Sequence, residues 1–266
     1  MDELDTVQKL IFVIGHKNNM INTVHLWDCL EVMKSIPDGS IDAIIADIPY
    51  WTTKCSWDQV IPFDLMWKEL KRIIKPNGAI VLFGSEPFSS ALRMSNIKQY
   101  KYDWIWEKSI PTWWVSSKNM PMKKHETISI FYAKQPIYNP IYEDRENSHT
   151  RWKGWKYICR SEHINTIVNV KPENKYRNPT TVLSFNNVSR HKSIHPTQKP
   201  VALLEYLIKT YTNEWETVLD FTSGSWTTWL ACQNTNRNYI LIEKDEWYYN
   251  ISKERLLKNK ILLWSI

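Results

Sequence analysis

Three short apolar runs in this chain each end at an acidic residue, and this repeated pattern limits the folds that the chain can adopt. The runs are Ile41–Ala46 before Asp47, Thr217–Leu219 before Asp220, and Tyr239–Ile242 before Glu243. A continuous apolar run of this length is typical of a parallel strand that is buried on both faces. Apolar residues at helical spacing stand between and after the runs, in Phe63–Ile74, Val201–Tyr211, Thr227–Asn234 and Trp247–Lys258. This alternation predicts an α/β fold with a doubly wound, mostly parallel sheet.

The middle of the chain lacks this regularity. Further strands are indicated at Ala79–Phe83, Tyr102–Trp106 and Thr127–Tyr132, but residues 135–190 are rich in Asn, Pro, Tyr, Lys and Arg and have no clear period. Such a stretch is too long for an ordinary loop and indicates an inserted functional region. We therefore expect residues 1–134 and 191–266 to form two halves of one domain, with 135–190 inserted between them.

The composition excludes several classes of protein. With 43% hydrophobic residues, the chain can bury a core, yet it has no apolar run long enough to span a bilayer. The acidic start, Met1–Asp5, lacks the features of a secretory signal. The four cysteines are scattered without a Cys-x-x-Cys pair, which argues against a zinc site and suits a reducing cytosol. We expect a cytoplasmic protein without a metal.

The formal net charge of +6 fits two interpretations equally well. A basic excess suits a polyanionic partner such as nucleic acid. It is also compatible with an ordinary solvated surface that happens to be basic.

The first motif with chemical potential is Asp47-Ile48-Pro49-Tyr50, at the end of a predicted strand. The residue before a proline is held extended, so the Ile48 carbonyl has a defined direction. A carboxylate and a fixed carbonyl can accept both hydrogens of one amino group, and an aromatic ring can stack on a flat base. Taken alone, the motif also fits an Asp that merely begins a turn.

The second motif is a strand, a tight turn with a glycine and a helix, followed by a second strand that ends at Glu243. The turn reads Asp220-Phe221-Thr222-Ser223-Gly224-Ser225. In nucleotide-type cofactor sites, turn amides approach the ligand and an acid about 20 residues further on binds ribose hydroxyls. A plain βαβ unit with Glu243 at a solvated strand end is the alternative.

Together these segments resemble the permuted (β-class) DNA amino-methyltransferases of bacteria and phages. That family typically reads Asp-Pro-Pro-Tyr-Gly at the first motif and Asp-Pro-Phe-x-Gly-Ser-Gly-Thr-Thr-Gly at the second. Its His-Pro-Thr-Gln-Lys-Pro stretch is intact here at residues 195–200, and Asp28-Cys29-Leu30-Glu31 matches its segment near the cofactor's adenine. The resemblance covers nearly the whole chain. It implies a Rossmann-like methyltransferase sheet with an inserted target-recognition region.

The resemblance also implies S-adenosylmethionine as cofactor and a role for each matching residue. Asp47 and the Ile48 carbonyl, held by Pro49, would orient the target amino nitrogen, while Tyr50 stacks on the base. Asp28 and Cys29 would lie near the adenine of the cofactor and Glu243 on its ribose. The methionine end would be held by Thr197, Lys199, Asp220, Phe221, Thr222, Gly224 and Ser225.

The implied reaction is direct in-line methyl transfer in which Cys29 and Cys55 are not nucleophiles. The partner would be double-stranded DNA, from which the target base must be flipped out. The insertion would recognise the DNA sequence through basic residues, namely Lys153, Lys156, Arg160, Lys175, Arg177 and Arg190. For about half of these basic residues, a solvated surface position is the expected outcome. The resemblance also allows a homodimer and a role in restriction–modification.

The chain departs from the family chiefly at glycine positions. Ile48 replaces a proline, and tryptophan stands where the family has glycine at Trp27, Trp51, Trp215, Trp226, Trp229 and one of Trp113 and Trp114. The chain has 15 Trp and only 6 Gly in all. Glycine serves where the backbone needs unusual φ or close contact with a ligand. We therefore expect bulky side chains to reduce cofactor binding. Repeated first-base change of glycine codons would produce this pattern.

These observations leave several functions open. The leading one is N6-methylation of adenine in DNA, since Asp at the first motif position favours adenine and N4-cytosine members more often have Ser there. The N4-cytosine reaction is the first alternative, and a catalytically impaired DNA-binding relic, indicated by the tryptophans, is the second. An RNA or protein amino-methyltransferase is less favoured, because the insertion lies where the family's DNA enzymes carry theirs.

Overall fold

The computed structural model describes residues 20–50, 60–112, 114–144, 157–161, 164–168, 176–188 and 198–263. The chain forms two compact units, one of residues 1–139 with 181–266 and the other of residues 140–180. The described strands are β1 (Thr23–Leu26), β2 (Ile41–Ala46), β3 (Ile74–Gly84), β4 (Tyr100–Thr112), β5 (Lys123–Phe131), β6 (Glu143–Asp144), β7 (Tyr157–Ser161), β8 (Ile164–Val168), β9 (Tyr176–Arg177), β10 (Val182–Phe185), β11 (Thr217–Asp220) and β12 (Asn238–Glu243). The helices are α1 (Cys29–Met33), α2 (Phe63–Ile73), α3 (Phe88–Ser95), α4 (Val201–Tyr211), α5 (Thr227–Asn234) and α6 (Glu246–Leu263).

The larger unit contains an eight-stranded sheet in the order β1-β12-β11-β2-β3-β5-β4-β10. Strand β5 pairs antiparallel with both β3 and β4, whereas the other described neighbours in this sheet pair in parallel. This agrees with the mostly parallel sheet predicted from the apolar runs. Strands β2 and β11 are buried along their whole length, as expected for strands covered on both faces.

Helices cover both faces of the sheet. Successive residues of β3 alternate between two hydrophobic clusters, with Ile80 and Leu82 in one and Val81 and Phe83 in the other. The first cluster contains residues of α1, α2 and α3, and the second contains residues of α4 and α5. The fold is therefore the doubly wound α/β arrangement that the alternation of elements predicted.

The register of the parallel strands brings the acidic strand ends to one edge. Leu26 pairs with Glu243, Asp220 pairs with Leu241, and Leu219 pairs with Ile44. Because the carboxyl ends of parallel strands lie together, Asp47, Asp220 and Glu243 meet at the edge where open α/β sheets bind ligands.

Several element bounds differ from those predicted from sequence. Strands β4 and β5 begin before the predicted Tyr102 and Thr127 and cover Tyr100–Thr112 and Lys123–Phe131, and the last helix continues beyond the predicted Lys258 to Leu263. Helix α2 ends at Ile73 and the chain continues at once into β3, which begins five residues before the predicted Ala79. Ile74 already has extended backbone angles and pairs with Ile41 of β2. The segment Pro76-Asn77-Gly78, whose proline and glycine predict a break after the helix, therefore lies inside a strand.

The smaller unit, residues 140–180, is narrower than the predicted insertion of 135–190. Strand β10 belongs to the main sheet, where Leu183 pairs with Trp106, and the Asn139 amide donates to the Thr210 carbonyl at 2.8 Å. Described residues at both flanks of the predicted insertion therefore belong to the larger unit, and the bounds of the target-recognition region stay a prediction. Within the smaller unit, β7 and β8 pair antiparallel, as do β6 and β9.

Two absences apply to the described residues only. None of the helices there combines the length and apolar character needed to cross a membrane. Nor do the His, Cys, Asp and Glu side chains of these residues form a group able to hold a metal ion.

Candidate active site

A cavity of about 590 Å³ opens at the carboxyl edge of β2, β11 and β12. Its volume lies within the range of small-molecule sites. Asp28, Asp47, Asp220 and Glu243 line it together with Lys199. The structure thus brings together both sequence motifs, which are 170 residues apart in the chain, at one concave site.

The first motif forms one wall of this cavity, and all four of its residues line it. The Tyr50 hydroxyl donates to Oδ1 of Asp47, and the Lys199 ammonium donates to Oδ2. The Tyr50 ring packs against Phe88, with ring centroids 5.3 Å apart. Asp47 therefore has a fixed orientation, since each oxygen has a donor, and each oxygen retains a lone pair for a further hydrogen.

The charge of Asp47 depends on opposing influences. Burial raises the pKa of the Asp47 carboxyl, and the negative charge of Glu126 raises it further. The Lys199 ammonium and the hydrogen bond from Tyr50 lower it. Lys199, whose side chain is only 6% exposed, is therefore the chief group that favours ionised Asp47.

The second motif lines the same cavity. Oδ1 of Asp220 accepts a hydrogen bond from the Thr222 amide at 3.1 Å, and Oδ2 accepts one from the Thr228 hydroxyl. Gly224 has φ +48°, a conformation that glycine adopts readily, and its amide donates to Oε2 of Glu243 at 2.7 Å. Ser225 shares a hydrogen bond with Thr227 at 2.9 Å. The turn and the acid of the next strand are thus locked together.

Burial raises the pKa of Asp220 to about 7, and the neighbouring charges of Asp47 and Glu243 act in the same direction. The hydrogen bonds from Thr228 and Thr222 oppose this rise. Burial also raises the pKa of Glu243. The cavity therefore holds several carboxyl groups at a higher pKa than they have in water, which is typical of functional sites.

Asp28 and Cys29 lie at the start of α1, beside the cavity. Oδ1 of Asp28 caps the helix by accepting from the Leu30 amide at 3.0 Å, and Oδ2 accepts from Lys244 at 3.2 Å. Burial and the nearby Asp28 raise the pKa of the Cys29 thiol to about 12. The thiol is therefore neutral at physiological pH, which fits the prediction that it is not a nucleophile.

The two motifs are joined by a direct hydrogen bond. The Thr222 hydroxyl donates to the backbone carbonyl of Asp47 at 3.2 Å. Phe221, which is 1% exposed, anchors the turn in the core beside Ile48. The relative position of the two motifs is therefore set by packing and by this bond.

The tryptophans at expected glycine positions occupy different environments. The indoles of Trp226 and Trp229 are buried in the cluster that contains α4 and α5, and neither lines the described cavity. The effect of these side chains on cofactor binding stays a prediction. Two of the positions have left-handed backbone angles, since Trp226 has φ +53° and Trp215 has φ +68°. Trp27 lines the cavity and is 55% exposed.

Several predicted residues lie outside the described part of the chain. These are Trp51, Trp113, Lys153, Lys156, Lys175, Arg190 and Thr197. Arg160 lies in β7, although its side chain is not described. Arg177 of β9 forms an ion pair with Glu143, with Nε and Oε2 2.7 Å apart, and both side chains are exposed.

Sequence reasoning missed Glu126 and Lys108. Oε1 of Glu126 lies 2.5 Å from the Lys108 ammonium, and Oε2 lies 3.3 Å from that of Lys199. Both residues stand in strands without a recognisable motif. Only the antiparallel pairing of β4 and β5 brings them beside Lys199. Both strands carry several other charged residues, so nothing in the sequence marked these two.

Comparisons with known proteins agree with the resemblance that the sequence motifs indicated. Residues 41–254 match the family model described as DNA methylase. The chain is 27% identical over 248 residues to Type II methyltransferase M.HpaI of Haemophilus parainfluenzae, covering 86% of this chain and 72% of that protein. It is 26% identical over 258 residues to DNA adenine methyltransferase YhdJ of Escherichia coli (strain K12), covering 90% and 83%. The solved M1.HpyAVI–SAM complex has the same fold, with a TM-score of 0.58 at 24% identity, over 88% of this chain and 98% of that one.

Proposed function

Because this chain belongs to the DNA methylase family, we propose that it transfers a methyl group from S-adenosylmethionine to the exocyclic N6 of adenine in double-stranded DNA. The observation that carries the proposal is that Asp47 and Tyr50 line the same cavity as the glycine-containing turn. Two similar proteins, one of them named a DNA adenine methyltransferase, support it.

The residues that line the cavity fit S-adenosylmethionine. Glu243 and Asp28 provide carboxylates at one end, where hydroxyl and amino groups could donate to them. The turn at Gly224 allows a close backbone approach, and Asp220 provides a carboxyl that could accept from a methionine amino group. When bound, S-adenosylmethionine supplies a methyl group on a positively charged sulfur.

The residues of the chain then orient the target amino group. Asp47 and the Ile48 carbonyl would accept its two hydrogens, which directs the nitrogen lone pair towards the methyl donor. The Tyr50 ring would stack on the extruded base, backed by Phe88. Holding two reactants in this orientation can supply much of the rate enhancement of a direct transfer. The neutral Cys29 has no covalent role in this scheme.

We assign the target-recognition role to the smaller unit, residues 140–180, with Arg177 and the other predicted basic residues of that unit as phosphate contacts. Arg190 is a further predicted phosphate contact outside it. Action on cytoplasmic DNA follows from the proposed substrate. A homodimer stays a prediction that sedimentation of the full chain would test.

Labelled methyl transfer to unmethylated DNA tests the proposal. We expect incorporation by the full chain, loss of incorporation in Asp47→Ala, and N6-methyladenine in the hydrolysed DNA. Detection of N4-methylcytosine in the hydrolysed DNA would show instead that the chain methylates cytosine. A matched variant with Trp27, Trp51, Trp215, Trp226 and Trp229 each changed to glycine is measured beside it. If calorimetry detects cofactor binding but neither protein labels DNA, the proposal fails.

A further inference from the structure

A buried charge cluster extends from the active site into the sheet. It consists of Asp47, Lys199, Glu126 and Lys108, in which carboxylates and ammonium groups alternate. Lys199 and Lys108 are less than 10% exposed, and the Glu126 side chain is 14% exposed. Buried charges are expensive unless they are paired, so each member depends on its neighbours.

Among the described residues, Lys199 is the contact between Glu126 and the site. Asp47 and Lys199 line the cavity, whereas Glu126 and Lys108 do not. The Lys199 ammonium also lies 5.2 Å from the centre of the Phe83 ring. Its place is therefore fixed by an aromatic face and two carboxylates, of which one is Asp47 and the other is Glu126.

Resting on the proposed function, we infer that Glu126 is a positioning residue for methyl transfer, which holds Lys199 and thereby sets the orientation and charge of Asp47. An amino group can donate a strong hydrogen bond to Asp47 only while the carboxyl is ionised. Lys199 favours that ionised form of Asp47. The Lys199 ammonium lies between two carboxylates, Asp47 and Glu126, so Glu126 competes with Asp47 for its positive charge.

The charged and titratable groups around Asp47 come from several elements. Lys199 precedes α4, Glu126 lies on β5, Tyr50 follows β2, and Asp220 ends β11. Lys108 on β4 and Lys123 on β5 act on Glu126 from the far side. Removing a positive or a negative member of this set should therefore move the ionisation of Asp47 in opposite directions.

The test is the pH dependence of kcat for methyl transfer in the full chain and two variants. Lys199→Met removes the positive charge, so the acid limb of the profile should move up by about one pH unit. Glu126→Gln removes the negative charge, so the limb should move down by about half a unit. A merely structural role would lower kcat in both without opposite shifts.

Binding measurements separate this inference from the proposed function. Cofactor affinity in Glu126→Gln should equal that of the unchanged chain, because Glu126 does not line the cavity. Methylation by the unchanged chain supports the function by itself. Shifts in the same direction, or no shift, in variants that bind cofactor and melt cooperatively would overturn the positioning role alone.

A second inference comes from backbone angles. The described non-glycine residues with positive φ are Asn22, Asn236, Trp215 and Trp226. Asparagine tolerates this conformation, but a bulky residue there is a genuine outlier. Trp226 also buries its indole N–H, which has no hydrogen-bond partner among the described residues.

Other tryptophans of the larger unit are well accommodated. The indole N–H groups of Trp67, Trp104 and Trp106 donate to Ser95, Tyr211 and the Phe185 carbonyl at 2.7, 2.6 and 3.0 Å. The chain therefore has two kinds of tryptophan, one built into the core and one at positions whose backbone suits glycine.

The geometry points to glycine at positions 215 and 226 in the protein made by its native host, with the codon there decoded as glycine. UGA is such a codon, since some genetic codes read it as tryptophan and another reads it as glycine. Peptide mass spectrometry of the host's protein should find glycine at 215 and 226 and tryptophan at 67, 104 and 106. The gene should carry UGA at the first two positions and UGG at the other three. Tryptophan at all five positions in the host's protein would overturn the inference.

Discussion

The Thr222 hydroxyl donates to the backbone carbonyl of Asp47 at 3.2 Å and so joins the two motifs of the site across the sheet edge. The bond fixes the turn after β11 to the end of β2. Because the two motifs would hold the proposed cofactor and the target base, loss of this contact should disturb their alignment more than it disturbs folding.

We expect Thr222→Val, which keeps the shape but removes the donor, to lower kcat for methyl transfer by roughly 2- to 10-fold, the equivalent of one hydrogen bond. Thr222→Ser keeps the hydroxyl and should stay near the unchanged rate. Steady-state kinetics and a melting curve of each variant provide the comparison. A Val variant with undiminished kcat would show that the bond has no part in alignment.

Cys29 provides a test of direct transfer. Its pKa of about 12 leaves a neutral thiol beside the cavity. Cys29→Ala should therefore retain kcat within about fivefold, a loss of no more than about 1 kcal/mol in transition-state stabilisation. Denatured protein trapped during turnover should carry no labelled methyl group. Label retained on the unchanged chain but lost in the Ala variant would require a covalent intermediate.

The sequence correctly predicted those helices and strands whose bounds depend on residues close together in the chain. The bounds of β2, β11, α4 and α5 follow from apolar runs, a proline start and turn residues, and they were predicted correctly. Strand β3 was predicted too short, because the pairing of Ile74 with Ile41 is a long-range contact that overrides the turn signal of Pro76-Asn77-Gly78.

The site was predictable only where residues carry a motif. Asp47, Asp220 and Glu243 each end an apolar run, so parallel pairing alone brings them together. The partner of Lys199 could not be inferred, because Glu126 reaches it through the register of β5 and no spacing in the sequence encodes that register. The direction of the Trp226 ring depends in the same way on packing, here against Tyr249.

The raised pKa of Asp220 makes the stability of the chain depend on pH. A carboxyl whose folded-state pKa lies above its ordinary value contributes stability that is fully present below that ordinary value and is lost as pH rises through about 7. Asp220→Asn replaces the carboxyl with an amide, which does not titrate in this range. The oxygen of the new side chain can still accept the hydrogen bond from the Thr222 amide.

We therefore expect Asp220→Asn, without cofactor, to gain stability relative to the unchanged chain between pH 5 and 8, by on the order of 2–4 kcal/mol at the upper end. Denaturant unfolding at four or five pH values measures this. The exposed Asp64→Asn change controls for the loss of one negative charge. A constant difference across the range would contradict the raised pKa.

Trp215 isolates the cost of the left-handed backbone, because its side chain is 71% exposed and little packing is at stake. The Trp215 amide donates a hydrogen bond to the Asn236 carbonyl at 2.7 Å, and the Trp215 carbonyl accepts one from the Asn238 side chain. Neither bond involves the indole ring. The left-handed conformation costs a residue with a Cβ roughly 1–2 kcal/mol, and the extra freedom of glycine in the unfolded chain offsets part of that gain. Trp215→Gly should therefore raise the free energy of unfolding by about 0.5–1 kcal/mol. Trp215→Ala, which keeps the Cβ, should not do so. Equal stabilisation by both changes would attribute the effect to removal of an exposed indole rather than to φ, and would remove the thermodynamic support for a glycine at this position.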